Sequence, residues 1–308
     1  MKIRPDVNKV LSKLIVVVGP TASGKSALAI KIAKKFNGEI VSADSRQIYR
    51  GMDIGTAKPS KKEMTTVPHY LINIKNPDEN YTVAEYKKDA IKTIKKVIIK
   101  DHLPILVGGT GLYVRAIIDN LKIPTVKPDL KLRQNLELRI RNYGLKSVYD
   151  ELIKLDPEAA YIVDPSNPRR IIRALEIALK TKKPFSVQRR VEKPLFDFLE
   201  IGLNIPQEEL NRRINKRVDL MIKNGLIKEV NNLIKKYEIK LQSFDAIGYR
   251  EIIEYINKKI PINDVINLIK KNTRSYAKRQ MTWFKKDKRI NWIRNEKETE
   301  KLIKKFLF

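Results

Sequence analysis

The sequence predicts an α/β fold, a parallel β-sheet flanked by helices, with an all-helical insertion. Three observations carry that expectation. Short apolar runs alternate with amphipathic segments over residues 1–119. One of these runs, "LIVVV" from Leu14, passes through a glycine turn directly into a helical pattern. Between residues 120 and 200 strand patterning gives way to helical segments separated by prolines, and it returns only near Phe196. Parallel neighbours need long crossovers, so strand–helix alternation reads as a parallel sheet with helices on both faces. Ligands of such sheets collect beyond the carboxyl ends of the strands.

The elements follow in chain order. "LIVVV" is a fully buried strand, and "SALAIKIAKKF" after the glycine turn is a helix. "GEIVSA" is a second strand reaching Asp44, and "HYLINI" a third. "TVAEYKKDAIKTIKKVIIK" is an amphipathic helix opened by a capping box, Thr82 with Glu85 three residues on. "PILVGGTGLY" is a strand entering a second glycine turn and a helix. Asp44 and Gly108-Gly109-Thr110 thus end two strands and should share a crevice with the first turn. "PDLKLRQNLELRIRNYG" and "NPRRIIRALEIALK" are helices of the insertion. "FDFLEIGLNI" restores strand character, and a helical remainder follows. The expected organisation is a core of 1–119 with 201–308 and a helical insertion of 120–200.

Composition excludes several classes of function. The chain has 308 residues, no cysteine and two histidines. Disulfides, thiolate zinc sites and thiol catalysis are therefore out, and little remains for a histidine metal centre. No apolar run is long enough to span a bilayer, and "MKIRPDVNKVLSK" lacks the apolar stretch of a secretory signal. A cytoplasmic protein, with no membrane and no obligate protein partner, is expected. Sixty-four basic against 35 acidic residues give a formal charge of +29. Part of that is lysine-rich composition. The rest points to a polyanionic partner, above all nucleic acid. From Lys270 to Phe308, 14 basic residues face 4 acidic ones, and Trp283 and Trp292 lie among them. Basic residues interleaved with aromatics suit phosphates and stackable bases.

The chemistry concentrates at Gly19-Pro20-Thr21-Ala22-Ser23-Gly24-Lys25-Ser26, which matches G-x-x-x-x-G-K-[ST] between a strand and a helix. Such a loop wraps an anion with backbone N–H groups, and the helix start adds partial positive charge. Lys25 brings a full charge, and the Ser26 hydroxyl is placed to ligate Mg²⁺. The core is thus P-loop NTPase-like. A kinase or NTPase would place a magnesium-binding Asp after a later strand, but "PILV" ends in Gly-Gly-Thr. The carboxylate at a strand end is Asp44, followed by Ser45, Arg46, Gln47 and a loop closing at Lys58. Asp44 reads equally as a general base and as a helix cap or outer-sphere magnesium partner.

"GPTASGKS", "VSADSRQIYRGMDIGTAKP", "PHYLINI", "LVGGTGLY", "NPRRIIRALE", "RINKRVDLMIKNGLIKEV", "AIGYRE" and "AKRQMTWF" together resemble the motif series of the tRNA dimethylallyltransferases, also called tRNA isopentenyltransferases. The resemblance runs from about residue 14 to 294, and the long motif at Asp44 is far more specific than the glycine turn alone. It implies transfer of a dimethylallyl group from dimethylallyl diphosphate to N6 of the adenosine 3′ of the anticodon. The glycine turn, Lys25 and Mg²⁺ on Ser26 would then hold the diphosphate. Asp44 would take the amine proton, Thr110 would lie between amine and diphosphate, and Arg217 would reach the diphosphate. Asp44, Ser45, Arg46 and Gln47 correspond to the contact segment for the target adenosine. Arg169, Arg170, Ile171, Ile172 and Arg173 correspond to a tRNA-contacting stretch. Lys131 and Arg133 correspond to a further contact, and Arg279 with Gln280 to an approach to the anticodon loop. Insertion and basic C-terminal part would clamp the anticodon stem-loop. The absence of cysteine excludes the zinc finger of eukaryotic members, so a bacterial-type monomer is expected.

Three other readings compete. A prenyltransferase acting on free adenosine nucleotides would have no use for the insertion or the basic tail. A P-loop kinase, with Arg169, Arg170 and Arg173 as a lid, needs the missing magnesium carboxylate. A non-catalytic RNA-binding protein would not need Lys25, Ser26, Asp44 and Thr110 together.

Overall fold

The computed structural model describes residues 11–124, 126–188, 191–258, 260–294 and 296–308. Six strands form one sheet: β1 Lys13–Val18, β2 Gly38–Ser42, β3 His69–Tyr70, β4 Leu103–Gly108, β5 Asp197–Leu203 and β6 Asn291–Ile293. Their order is β3-β2-β4-β1-β5-β6, and every pairing is parallel. The expected parallel sheet flanked by helices is what forms. No helix among the described residues is long and apolar enough to cross a membrane.

β1 sits centrally because it is apolar on both faces. Leu14 to Val18 are fully buried, each worth about 1.5–3 kcal/mol against exposure. Leu14, Val16 and Val18 face one layer, the helices Val83–Ile99 and Gly111–Ile118, where Tyr86 stacks on Tyr113 at 3.8 Å. Ile15 and Val17 face the opposite layer, built from Lys25–Lys35 and Glu296–Leu307. The capping box at Thr82 and Glu85 forms as the spacing predicts. A third cluster gathers Tyr49 and Met52 with the helices Leu226–Ile234, Tyr249–Lys258 and Ile262–Phe284.

Two strand expectations need correction. "HYLINI" pairs for only two residues, because Leu71 and Asn73 turn the backbone into the left-handed region. The helical remainder carries an unanticipated edge strand, β6, whose three residues are too few for an alternating pattern to show. The tryptophans pack on the sheet. Trp283 lies against Gly111 and Trp292 against Gly202, both half-buried and packed on the apolar cluster of the sheet.

The chain forms two compact units, residues up to Ile118 with Leu195–Phe308, and Asp119–Pro194. The second is all-helical, with Leu130–Leu155 broken by Gly144 (φ 80°) and Pro168–Thr181 capped by the Asn167 side chain on Arg170 N–H. Leu136, Val148, Leu152 and Leu175 form its core.

Candidate active site

The glycine turn leaves the end of β1 and opens the helix Lys25–Lys35. Gly24 caps that helix at φ 94°, a conformation open to glycine at little cost. Four helical N–H groups at such a start lack intrahelical partners, and the macrodipole makes them attractive to anions. Lys25 donates from Nζ to the Pro20 carbonyl at 3.2 Å. Desolvation, helped by the nearby Arg217 charge and opposed by Asp44, pushes its pKa down to about 8. Ser26 is exposed on the cavity wall beside it, its hydroxyl without a hydrogen bond to any described residue. Arg217, on the helix Gln207–Lys223, donates to Thr21 Oγ1 at 3.1 Å.

Asp44 follows β2 by two residues. Its Oδ1 accepts the N–H of Arg46 at 2.8 Å and of Gln47 at 3.3 Å, closing the turn that carries them. Its Oδ2 accepts no hydrogen bond from a described residue. One oxygen therefore does the capping work that the sequence left open, and the other is available for a proton. Thr110 Oγ1 receives Ser45 N–H at 3.1 Å, and Thr110 N–H reaches the Ala43 carbonyl at 3.2 Å. Gly108 permits this approach, since a Cβ there would lie 2.1 Å from the Ala43 oxygen. The two strand ends thus converge as the topology predicted.

Arg46 and Gln47 spend their side chains inside the protein. The Arg46 guanidinium donates to the carbonyls of Gln242 at 2.8 Å and Ser243 at 3.3 Å, and Gln47 Nε2 donates to Thr56 and Ala57 carbonyls at 3.3 Å. Gln47 thereby shapes the loop 53–58, whereas Arg46 ties this turn to residues 242–243. Lys58 anchors that loop through Asp53 and Asn73, and Glu229 receives the N–H groups of Asp53, Ile54 and Gly55. Spacing gave no sign of Glu229, which lies far off in the chain.

Two cavities adjoin these residues. One, about 370 Å³, is lined by Lys25, Ser26, Asp44, Gly108 and Arg217. The other, about 520 Å³, is lined by Asp44, Ser45, Arg46, Arg217 and Arg279. Thr21, Asp44, Thr56, Ala57, Arg217 and Tyr276 line both. The two cavities therefore share the Asp44 carboxylate on their common wall.

The helical unit distributes its expected residues unevenly. Lys131, Arg169 and Arg170 are exposed. Ile171 and Ile172 are buried in the unit's core, so their side chains cannot serve as the expected contacts. Arg133 and Arg173 both bind Glu176, which is fully buried, Arg133 by 2.9 and 2.7 Å hydrogen bonds. Arg173 also donates to the Val126 carbonyl. A buried carboxylate stripped of partners costs several kcal/mol, so these two arginines are committed first to Glu176. Arg279 is exposed over the Tyr276 ring, whereas Gln280 is buried.

The IPP transferase family profile matches residues 47–287. A tRNA dimethylallyltransferase of Halothermothrix orenii is 46% identical over 286 residues, covering 92% of this chain and 87% of that protein. One of Acetivibrio thermocellus is 43% identical over 300 residues, covering 96% of each. The full-length tRNA isopentenylpyrophosphate transferase of Bacillus halodurans superposes with a TM-score of 0.72 at 39% identity, covering 96% of this chain and 97% of that one. A eukaryotic dimethylallyltransferase described as acting on tRNA gives 0.74 at 30% identity, covering 88% and 69%.

Proposed function

The chain belongs to the IPP transferase family, and from that premise we propose that it moves the dimethylallyl group of dimethylallyl diphosphate onto N6 of the adenosine 3′ of the anticodon in tRNA. The observation that supports this best is Asp44 on the shared wall of two cavities, with Arg217 lining both and Lys25 lining one. In the reaction the N6–C1 bond forms as the C1–O bond breaks. The electron pair leaves on the diphosphate and the proton passes to Asp44 Oδ2. Lys25, Arg217 and the backbone N–H groups of the glycine turn bind the diphosphate and stabilise the charge it gains. Thr110, tied to Ser45 and to Ala43, fixes the height at which the amine meets Asp44. An aromatic amine loses its proton reluctantly, so the base contributes during bond formation.

Mg²⁺ fits this site through its chemistry. It holds phosphate oxygens and water with few protein ligands, and the Ser26 hydroxyl on the cavity wall would supply one. When bound, it would neutralise diphosphate charge there. A kinase reading draws no support, because β4 ends in Gly108 and runs on through Gly109 and Thr110 with no carboxylate.

The target base must leave its stack to reach Asp44, which is cheaper in a single-stranded anticodon loop than in a duplex. Lys131, Arg169, Arg170 and Arg279 are the exposed cations we assign to tRNA phosphates. Affinity for tRNA should then fall with salt at a log–log slope near −0.7 per single-strand phosphate neutralised. A titration of an unmodified anticodon stem-loop by fluorescence anisotropy checks this, and a flat response removes the phosphate assignment.

The test of the reaction is mass spectrometry of an unmodified tRNA incubated with the protein, Mg²⁺ and dimethylallyl diphosphate. The expected result is one added prenyl unit on the adenosine 3′ of the anticodon. Consumption of ATP in place of prenylation, or prenylation of free AMP alone, would overturn the proposal.

A further inference from the structure

Gln280 lies on the helix Ile262–Phe284, far in sequence from both glycine turns, yet it joins them. Its Oε1 accepts the Thr21 N–H at 2.8 Å, in the middle of the first turn. Its Nε2 donates to the Gly109 carbonyl at 2.9 Å, one residue before Thr110. The side chain is buried, 6% exposed, so both bonds are made away from bulk water. A buried amide left unpaired costs more than a surface one gains, which makes the pairing close to obligatory. The contact also accounts for Gly109, because a Cβ there would stand 2.2 Å from Gln280 Nε2. An Oε1 acceptor and an Nε2 donor fix the amide orientation. No aliphatic residue and no carboxylate reproduces both ends.

We propose that Gln280 is a positioning residue that locks the anion-binding turn at Thr21 to the strand end at Gly109, so that donor phosphate and Thr110 are held in one register. The inference rests on the function proposed above. The neighbouring Thr21 carries the second link, since its hydroxyl receives Arg217 at 3.1 Å. Gln280 and Arg217 therefore grip the same residue, one through its backbone and one through its side chain. Loosening Thr21 loosens the diphosphate cradle. Loosening Gly109 lets Thr110 drift from Asp44 and Ser45. The two losses fall on different kinetic constants, which separates this role from a general packing role.

The experiment compares Gln280→Glu with Gln280→Met, each scaled to its folded fraction by circular dichroism. Glutamate keeps an acceptor for Thr21 N–H and loses the donor to Gly109. It should leave KM for dimethylallyl diphosphate near that of the parent and lower kcat at least about tenfold. Methionine loses both ends and should raise that KM about tenfold as well. Equal KM values in the two variants, or unchanged kcat in Gln280→Met, would overturn the assignment. A double-mutant cycle gives a second reading. Gly109→Ala in the Gln280→Ala background should lose no more than Gly109→Ala alone, since the methyl and the amide claim the same space; additive losses would again overturn it. Calorimetric binding of inorganic diphosphate keeps the two levels apart. If the parent protein binds diphosphate but prenylates no tRNA, the proposed function fails, while weakened diphosphate binding in Gln280→Met still reports the lock.

Discussion

Asp44→Asn is expected to lower kcat for prenyl transfer by about 10²–10⁴ while leaving tRNA affinity close to that of the parent. The substitution is chosen because Asp44 has two separable tasks. Oδ1 closes the turn by accepting Arg46 and Gln47 N–H, and the asparagine carbonyl can do the same. Oδ2 is the oxygen left for the amine proton. An amide –NH₂ in its place is a donor and cannot take a proton. It would also turn two donors toward each other where the incoming amine arrives. The turn, the cavity walls and the cations around the diphosphate should persist, so the loss belongs to proton transfer. Steady-state turnover together with anisotropy binding of an anticodon stem-loop measures both quantities. An unaltered kcat would remove Asp44 as the base. A loss of tRNA affinity matching the loss in turnover would show a role in holding the substrate.

Much of this site was legible because its chemistry is local in the chain. Gly19 to Ser26 is one contiguous turn, and its strand and helix flanks follow from hydrophobic pattern alone. Asp44 and Thr110 were reachable by one further step, since parallel strand ends share an edge. Roles that depend on distant partners were not legible. Gln280 meets Thr21 across 259 positions, and Glu229 meets Asp53 across 176. A polar residue on an amphipathic helix carries no mark that its partner is a backbone amide elsewhere. The same blindness affected Arg133 and Arg173. Their charge suggested phosphate, but buried Glu176 in the middle of an apolar helix face had already claimed them. Ile171 and Ile172 show the converse case. A motif carried over as a stretch includes the residues between its contacts, and on a helix those point to the core. The packing of Trp283 on Gly111 and of Trp292 on Gly202 carries no sign in their lysine-rich surroundings either.

Lys25→Met should abolish efficient use of dimethylallyl diphosphate and at the same time stabilise the free protein, a pairing that a merely structural lysine would not produce. Removing one preorganised cation from a leaving-group site costs about 10²–10³ in rate. The stability gain follows from the same burial. Desolvation, opposed by Asp44 and helped by Arg217, holds the Lys25 pKa at about 8, against the ordinary lysine value of 10.5 that applies when the chain is unfolded. Between those two values the unfolded chain binds the extra proton and the folded chain does not. Stability of the ligand-free protein therefore rises as pH increases from about 8 to 10.5, and below pH 8 the full cost of the buried charge is present. That cost is on the order of 2 kcal/mol once partial solvation of the side chain is allowed for. Methionine fills a similar volume without the charge. Denaturant unfolding at pH 7 and at pH 10 should show the variant more stable than the parent at the lower pH and the difference narrowing at the higher. A variant less stable at pH 7 would mean that the contacts of Lys25, including the one to the Pro20 carbonyl, outweigh the cost of burying its charge. If the proposed diphosphate binds here, its negative charge should favour the charged ammonium, so adding inorganic diphosphate should shrink the stability difference between parent and variant at pH 7.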